Sequence, residues 1–271
     1  MSDLWYSLPA LAQDIALTFA LLLPALLVGA LVLRETRASF GTSSIGYLWA
    51  IITPAVSVGL LFFIFTMIDR QAPYGDSLAL FFATGILTIE FFNKLSHTLM
   101  ATFDANKALL TYPLIKETDA LFARLLLISA TYLVIMILFY LGLYAAGMAD
   151  LPAHPEKALG AFLAVMALGF GFGTVNAVIA SLWESWNQIE KILTRPLIFI
   201  SGVFYVPSRL PPEATEILWW NPVLHLVEWV REGFYPNYDS ALFTPGYPLF
   251  LAMILTLVGL GGERLFRKKR S

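Results

Sequence analysis

Apolar runs long enough to cross a bilayer recur along this chain, and no other feature constrains its fold as tightly. A spanning helix needs about 20 predominantly apolar residues. Segment 15–33 (IALTFALLLPALLVGALVL) qualifies, broken only by Pro24 and Gly29. So do 45–68, 77–92, 121–146, 158–183 and 247–262, and a shorter run covers 196–206, though its helix could begin earlier, near Gln188. Charged residues are only 13% of the 271 and hydrophobic ones 58%, with a mean hydropathy of +0.73. A soluble domain carries about a quarter charged residues. The expectation is therefore an all-α integral membrane protein in one domain, 1–271, with six transmembrane helices behind an interfacial or re-entrant N-terminal helix.

Basic residues orient the spans, because cytoplasmic loops collect Lys and Arg. With Arg34 and Arg37 inside and a crossing at each later segment, the inner set is Arg34, Arg37, Lys94, Lys107, Lys116, Arg124, Lys191, Arg195, Arg264, Arg267, Lys268, Lys269 and Arg270. The outer set is Arg70, Lys157, Arg209 and Arg231, thirteen against four. The C-terminus is then cytoplasmic. Segment 15–33 is left open by this rule, since no Lys or Arg precedes it. Its length favours crossing, while the amphipathic flank LRETRASFG favours an interfacial helix over 15–40. The N-terminus also lacks the basic region of a secretory signal, so a cleaved leader is not expected.

Several chemistries are missing from the sequence. With no cysteine there is no disulfide framework, thiolate zinc site or iron–sulfur site. No GK dipeptide and no His-Glu-x-x-His pattern occurs, which argues against nucleotide hydrolysis or metal catalysis in this chain. The net charge of -2 gives no reason to expect a nucleic-acid partner. Membrane-depth charges are functional candidates by default, yet Glu90 and Lys94 are one turn apart and are expected simply to pair. Glu184, Glu190 and Lys191 fall in a predicted cytoplasmic loop, where a solvated or partner-facing role is expected. Gly169, Gly171 and Gly173 suit close helix packing.

Two irregular regions stand out. Segment 101–120 is polar, of mixed charge and predicted cytoplasmic, either a docking surface or a plain connector. Segment 207–245 is predicted to lie on the outer side, yet is rich in Trp, Leu and Val. Within it NPVLHLVEWVREG reads as a capped helix, with Asn221 as N-cap, Pro222 at the first position and Gly233 just past the end. Eleven residues rise only about 16 Å, too short to cross. A re-entrant helical hairpin follows, set against a pathway or partner rather than lipid. The aromatic residues, among them Tyr47, Trp49, Trp183, Trp186, Trp219, Trp220 and Trp229, read first as an interfacial belt. The sharper alternative is that some line a conduit and stack on sugar rings, with Tyr47, Trp49, Phe199, Phe204 and Tyr205 as candidates.

The ordered set LRETRASFG…GYLWAIITP, LLTYPLIKETDALFAR and SGVFYVPSRLPPEATEILWWNPVLHLVEWVREGFYP resembles the membrane subunit of type-2 ABC exporters. Within these it is most similar to capsular polysaccharide export permeases of Gram-negative bacteria. The resemblance runs from about Leu33 to the C-terminus. It implies a homodimer with two cytoplasmic ATPase subunits, moving a lipid-linked polysaccharide across the inner membrane. It further implies hand-over to a periplasmic co-polymerase and an outer-membrane export protein. ATP and Mg would serve the partner ATPase, and no cofactor or metal is expected on this chain. Coupling to the ATPase maps onto Arg34, Glu35, Arg37, Tyr112, Pro113, Lys116 and Glu117. The outer gate maps onto Asn221, Pro222, His225, Glu228 and Arg231. Segment 15–33 departs from the family, being longer and more apolar than an ordinary interfacial helix. Rival readings are an O-antigen or teichoic-acid exporter, a small-molecule efflux permease, a glycan-modifying membrane enzyme built around Glu90, and a structural scaffold.

Overall fold

The computed structural model describes residues 28–36, 44–111, 115–238, 240 and 242–270, and the regular elements among them are all helical. Helix α1 covers 28–36. Then follow α2 (Ser44–Met67), α3 (Leu78–Met100), α4 (Thr102–Ala105), α5 (Glu117–Ala145), α6 (Pro155–Leu182), α7 (Trp186–Thr194), α8 (Leu197–Ile200), α9 (Pro212–Trp219), α10 (Pro222–Phe234) and α11 (Gly246–Arg270). Four of these, α3, α5, α6 and α11 as far as Arg267, are long and apolar enough to cross a membrane, and α2 adds the shorter apolar stretch Ile51–Met67.

Helix ends differ from expectation where polar residues interrupt an apolar run without breaking the helix. α3 continues eight residues past Phe92, because Phe91, Phe92, Leu95 and Leu99 stay buried on one side while Asn93, Lys94 and His97 fall on the other. Ser77 caps its start, accepting the Leu80 N–H at 3.1 Å. α5 begins at Glu117, four residues early, where the Asp119 carboxylate accepts the Lys116 N–H at 3.0 Å. Segment 101–120 therefore holds only a four-residue helix of its own among its described residues, and its C-terminal part is the first turn of α5. The short run 196–206 is also redrawn. Its helix starts ten residues earlier, at Trp186, is interrupted before Leu197 and ends at Ile200.

α3 is the buried axis of the bundle. Phe91 is sandwiched between Tyr132 of α5 and Phe162 of α6, with ring centroids 5.1 and 4.9 Å away. α3, α6 and α11 run parallel, held close by Gly169, Gly171 and Gly173 of α6. A Cβ on Gly173 would lie 2.6 Å from Leu99 Cβ, and one on Gly171 would lie 2.8 Å from the Ala252 carbonyl oxygen. The packing role expected for these glycines is observed. α2 and α5 run the opposite way, as Phe65 against Phe82 and Arg124 against Thr98 record.

Contacts define two ends. One end, here the basic end, gathers α1, α4, the start of α5, α7 and the last turns of α11, with Arg34, Arg124, Lys191, Arg195 and Arg267. The other, the hairpin end, gathers α9 and α10 against the starts of α3, α6 and α11. α10 reaches Phe234, so Gly233 sits inside its last turn and not beyond it. It is needed there for a close approach, since a Cβ would lie 2.7 Å from the Ala158 nitrogen.

Candidate functional site

Three polar constructions interrupt the apolar bundle. The first is a groove of about 570 Å³ between α2, α3, α7 and α8. Ser57 and Leu60 of α2 form one wall, and Glu90, Asn93 and His97 of α3 form the floor. Lys191 and Thr194 of α7, Arg195 just after it, and Phe199 and Phe204 form the other wall. His97 Nδ1 lies 2.9 Å from Oε2 of Glu190, which is buried, so this contact ties α7 to α3. Glu190 is thus buried in a helix, where a solvated or partner-facing loop residue is expected from the sequence. Glu90 and Lys94 form no ion pair. Glu90 turns into the groove towards Ser57, while Lys94 is exposed away from it. The side-chain oxygen of Asn93 is buried there with no hydrogen-bond partner. The exposed lining of the groove is mostly apolar, with Glu90, His97, Lys191 and Arg195 set among it.

The aromatic candidates divide. Phe199 is 64% exposed and stacks on Phe204 at 5.7 Å, which stacks on Phe65 at 6.2 Å, giving the groove an aromatic rim. Trp49 is 61% exposed on α2 and does not line the groove. Tyr205 lies off it, its carbonyl accepting from Arg231 at 3.4 Å. The side chain of Tyr47 lies outside the described residues.

The second construction ties α1 into the basic end. Arg34 donates to Asn106 Oδ1, and Glu35 pairs with Arg124 at 2.8 Å with both side chains more than 90% buried. Arg124 also donates to the Thr98 carbonyl at 2.6 Å, so one guanidinium joins α1, α5 and α3. Its planar fork suits such bridging. Arg124 was counted only as an inside charge; an arginine two turns into an apolar span was the available signal. Lys116 caps α5 and Glu117 opens it, near Arg267. Arg37, Tyr112 and Pro113 lie outside the described residues.

The third holds the hairpin end. Asn221 accepts the Val223 N–H at 3.0 Å, as an N-cap should, and donates to the Ile200 carbonyl at 3.1 Å and Ser201 Oγ at 2.9 Å. Pro222 takes the first helical position. His225, Glu228 and Arg231 of α10 are fully buried. Glu228 accepts from Tyr238 at 2.8 Å, Ser240 at 2.6 Å and Arg231 at 3.3 Å. Arg231 stacks on Phe81 with its Cζ 3.9 Å from the ring centroid. Tyr238, Ser240 and Phe81 escaped the sequence reading, because their partners come from other elements.

His225 Nε2 donates to the Trp219 carbonyl at 2.8 Å and Nδ1 accepts the Thr244 N–H at 3.3 Å, the pattern of a neutral ring. Burial lowers its pKa, opposed by the Trp219 bond. Unfolded histidine protonates near pH 6.5. The hairpin therefore keeps full stability above about pH 6.5 and loses it as pH falls through the lower folded value. Hydrogen exchange at residues 219–226, corrected for intrinsic rates, is expected to rise between pH 7.5 and 5.5, and His225→Gln to remove that dependence.

A family model described as ABC-2 type transporter matches residues 27–235, from α1 through α10, which includes the whole groove. The chain belongs to the ABC-2 type transporter family. The family resemblance read from the motif set is borne out. Among relatives of this ABC-2 chain, the polysialic acid transport protein KpsM of Escherichia coli is 29% identical over 233 residues, 86% of this chain and 90% of KpsM. The capsule polysaccharide export inner-membrane protein CtrC of Neisseria meningitidis serogroup B is 27% identical over 243 residues, 89% of this chain and 91% of CtrC. The O-antigen export system permease protein RfbA of Klebsiella pneumoniae is 24% identical over 238 residues, 84% of this chain and 86% of RfbA.

Proposed function

We propose that this chain is the permease of an ATP-driven exporter moving lipid-linked capsular polysaccharide across the bacterial inner membrane. The observation that carries the reading is similarity along nearly the whole length to KpsM and CtrC. The groove supports it with sugar-compatible chemistry. Two copies enclose the pathway between α2 and the α7–α8 arm, with Phe199 and Phe204 on its wall, Tyr47 and Trp49 at the α2 entrance and Tyr205 near the exit. The exposed apolar residues Val56, Leu60 and Phe63 of α2 and Ile192 of α7 favour a second copy or lipid there.

Six crossings and a cytoplasmic C-terminus fit this arrangement. Between Glu190 beside His97 and Val203 beside Gly85, the chain climbs twelve residues of α3, roughly 18 Å, which supports a short crossing by the α7–α8 arm. The basic end then faces the cytoplasm and two ATPase subunits, which use ATP and Mg. ATPase closure pushes α1 and the segment before α5, through Arg34, Glu35, Arg37, Tyr112, Pro113, Lys116 and Glu117. Arg124 receives that push inside the bundle. The hairpin of α9 and α10, within 207–245, is a re-entrant outer gate whose Asn221, Pro222, His225, Glu228 and Arg231 hold it closed. Beyond it stand a periplasmic co-polymerase and an outer-membrane export protein.

Likeness to RfbA favours O-antigen export as the second reading. Deleting the gene and following both glycans separates the two. Capsule polymer trapped inside the cell is expected. Trapped O-antigen with normal capsule would move the assignment to the second reading, and normal surface glycans of both kinds would overturn both.

A further inference from the structure

α7, which carries one wall of the groove, is tied to the bundle near its start. Trp186 Nε1 donates to Asn176 Oδ1 of α6 at 3.1 Å, and Asn176 donates on to Ser96 Oγ of α3 at 3.3 Å. Just before this joint the helix is broken between Leu182 and Trp186. One turn further on, Glu190 meets His97 of α3. Beyond that contact α7 turns Ile192 and Leu193 outward, and the helix is interrupted again before Leu197.

The Glu190 contact differs in kind from the other buried pairs. Among the described residues four carboxylates are buried, those of Glu35, Glu190, Glu228 and Glu263. Glu35, Glu228 and Glu263 each face an arginine, Arg124, Arg231 and Arg267. A guanidinium stays charged in a protein, so those pairs keep their attraction wherever they sit. Glu190 faces a histidine, a charged partner only while it is protonated. Neither Glu190 oxygen makes a directional hydrogen bond with any described residue. A buried carboxylate held so thinly is stable only with its partner in place. The His97 side chain, by contrast, is 34% exposed and lines the groove. Parting the pair leaves a wetted imidazole on α3, able to go neutral, and carries Glu190 outward with α7 to water. No permanent charge is stranded.

We propose that the His97–Glu190 pair is the latch of the α7–α8 arm, holding the groove narrow when closed and letting the arm swing about the Trp186–Asn176 joint when open. The helix supplies a lever. Glu190 lies four residues, about 6 Å, beyond Trp186, and Thr194 lies eight residues, about 12 Å, beyond it. Parting the pair therefore moves the Thr194 end of the wall about twice as far as Glu190 itself. That the swing serves export rests on the proposed function; the latch itself does not depend on which glycan is carried.

The native chain has no cysteine, so a reactive pair can be introduced without background. His97→Cys with Glu190→Cys, in the full chain with its ATPase partner, is joined by ethylene bis-methanethiosulfonate, a short reducible cross-linker. Export is expected to fall about tenfold when the arm is bolted and to return on reduction, while each single-cysteine variant given the same reagent keeps its export. Bolted protein that exports as well as reduced protein overturns the latch. Hydrogen exchange decides without any export readout, and so also covers a cysteine pair that fails to assemble. In the wild-type complex, exchange over 186–195 is expected to rise about tenfold on trapping with ATP and vanadate, with 78–92 of α3 unchanged. His97→Ala is expected to give that rise without nucleotide, and Glu190→Gln, whose amide can still bond the imidazole, a smaller one. Equal exchange over 186–195 in resting and trapped complexes would make the pair a fixed tie and overturn the proposal. Absence of export by the wild-type chain would instead overturn the export reading, leaving the exchange result to judge the latch.

Discussion

Arg124→Ala is expected to abolish export while the chain still reaches the membrane and assembles with its ATPase. The substitution leaves Glu35 buried with no counter-charge and frees α1 from α3 and α5. Stranding one member of a buried pair costs about 3–5 kcal/mol. Here the loss falls at a peripheral junction, so its main effect is on transmission. ATP hydrolysis by the reconstituted complex should continue, no longer answering to substrate. Arg124→Lys should recover only part of the coupling, because an ammonium cannot bridge Glu35 and the Thr98 carbonyl with one planar group. Exchanging the charges, Glu35→Arg with Arg124→Glu, should restore more than either change alone. Normal export by Arg124→Ala would reduce the pair to a passive anchor.

The second large effect is expected at the hairpin end. Glu228→Ala removes the acceptor of two hydroxyls and the counter-ion of Arg231, all within one buried cluster. A cost of about 3–5 kcal/mol follows, a fall in Tm on the order of 10 °C for the purified protein. The double change Glu228→Leu with Arg231→Met should recover part of that loss, since no charge is then stranded while the Tyr238 and Ser240 hydroxyls still lack their acceptor. Its export should remain impaired if the cluster also sets how the hairpin opens. An unchanged Tm for Glu228→Ala would show that α10 is held by its apolar face alone.

What the sequence made legible was set by local chemistry. Apolar runs located α2, α3, α5, α6 and α11 because each helix must bury its own length. Asn221 and Pro222 announced the start of α10, since caps act within one turn. The glycines of α6 marked a packing face that Leu95, Leu99 and Ala252 occupy. Long-range pairings were not legible. Glu190 looked like a loop residue until His97 met it, and Arg124 looked like a topological charge until Glu35 did. Glu90 and Lys94 share a face of α3 one turn apart and still do not pair, because Glu90 turns into the groove towards Ser57 while Lys94 stays exposed outside its lining. Gly233 shows the same limit in reverse: its position suggested a helix stop, and the neighbour that requires it, Ala158, is far away in sequence.

The glycine-lined contact of α3, α6 and α11 also limits how such a transporter can move. Leu99 and Leu95 sit where any side chain on α6 would collide, so these three helices cannot slide past one another without losing their fit. In the proposed export cycle they are the stator. In the export cycle proposed above, α2 and the broken α7–α8 arm, which carry exposed apolar faces, are the rotor. Work delivered at α1 in that cycle then changes the width of the groove, which lies where stator and rotor meet.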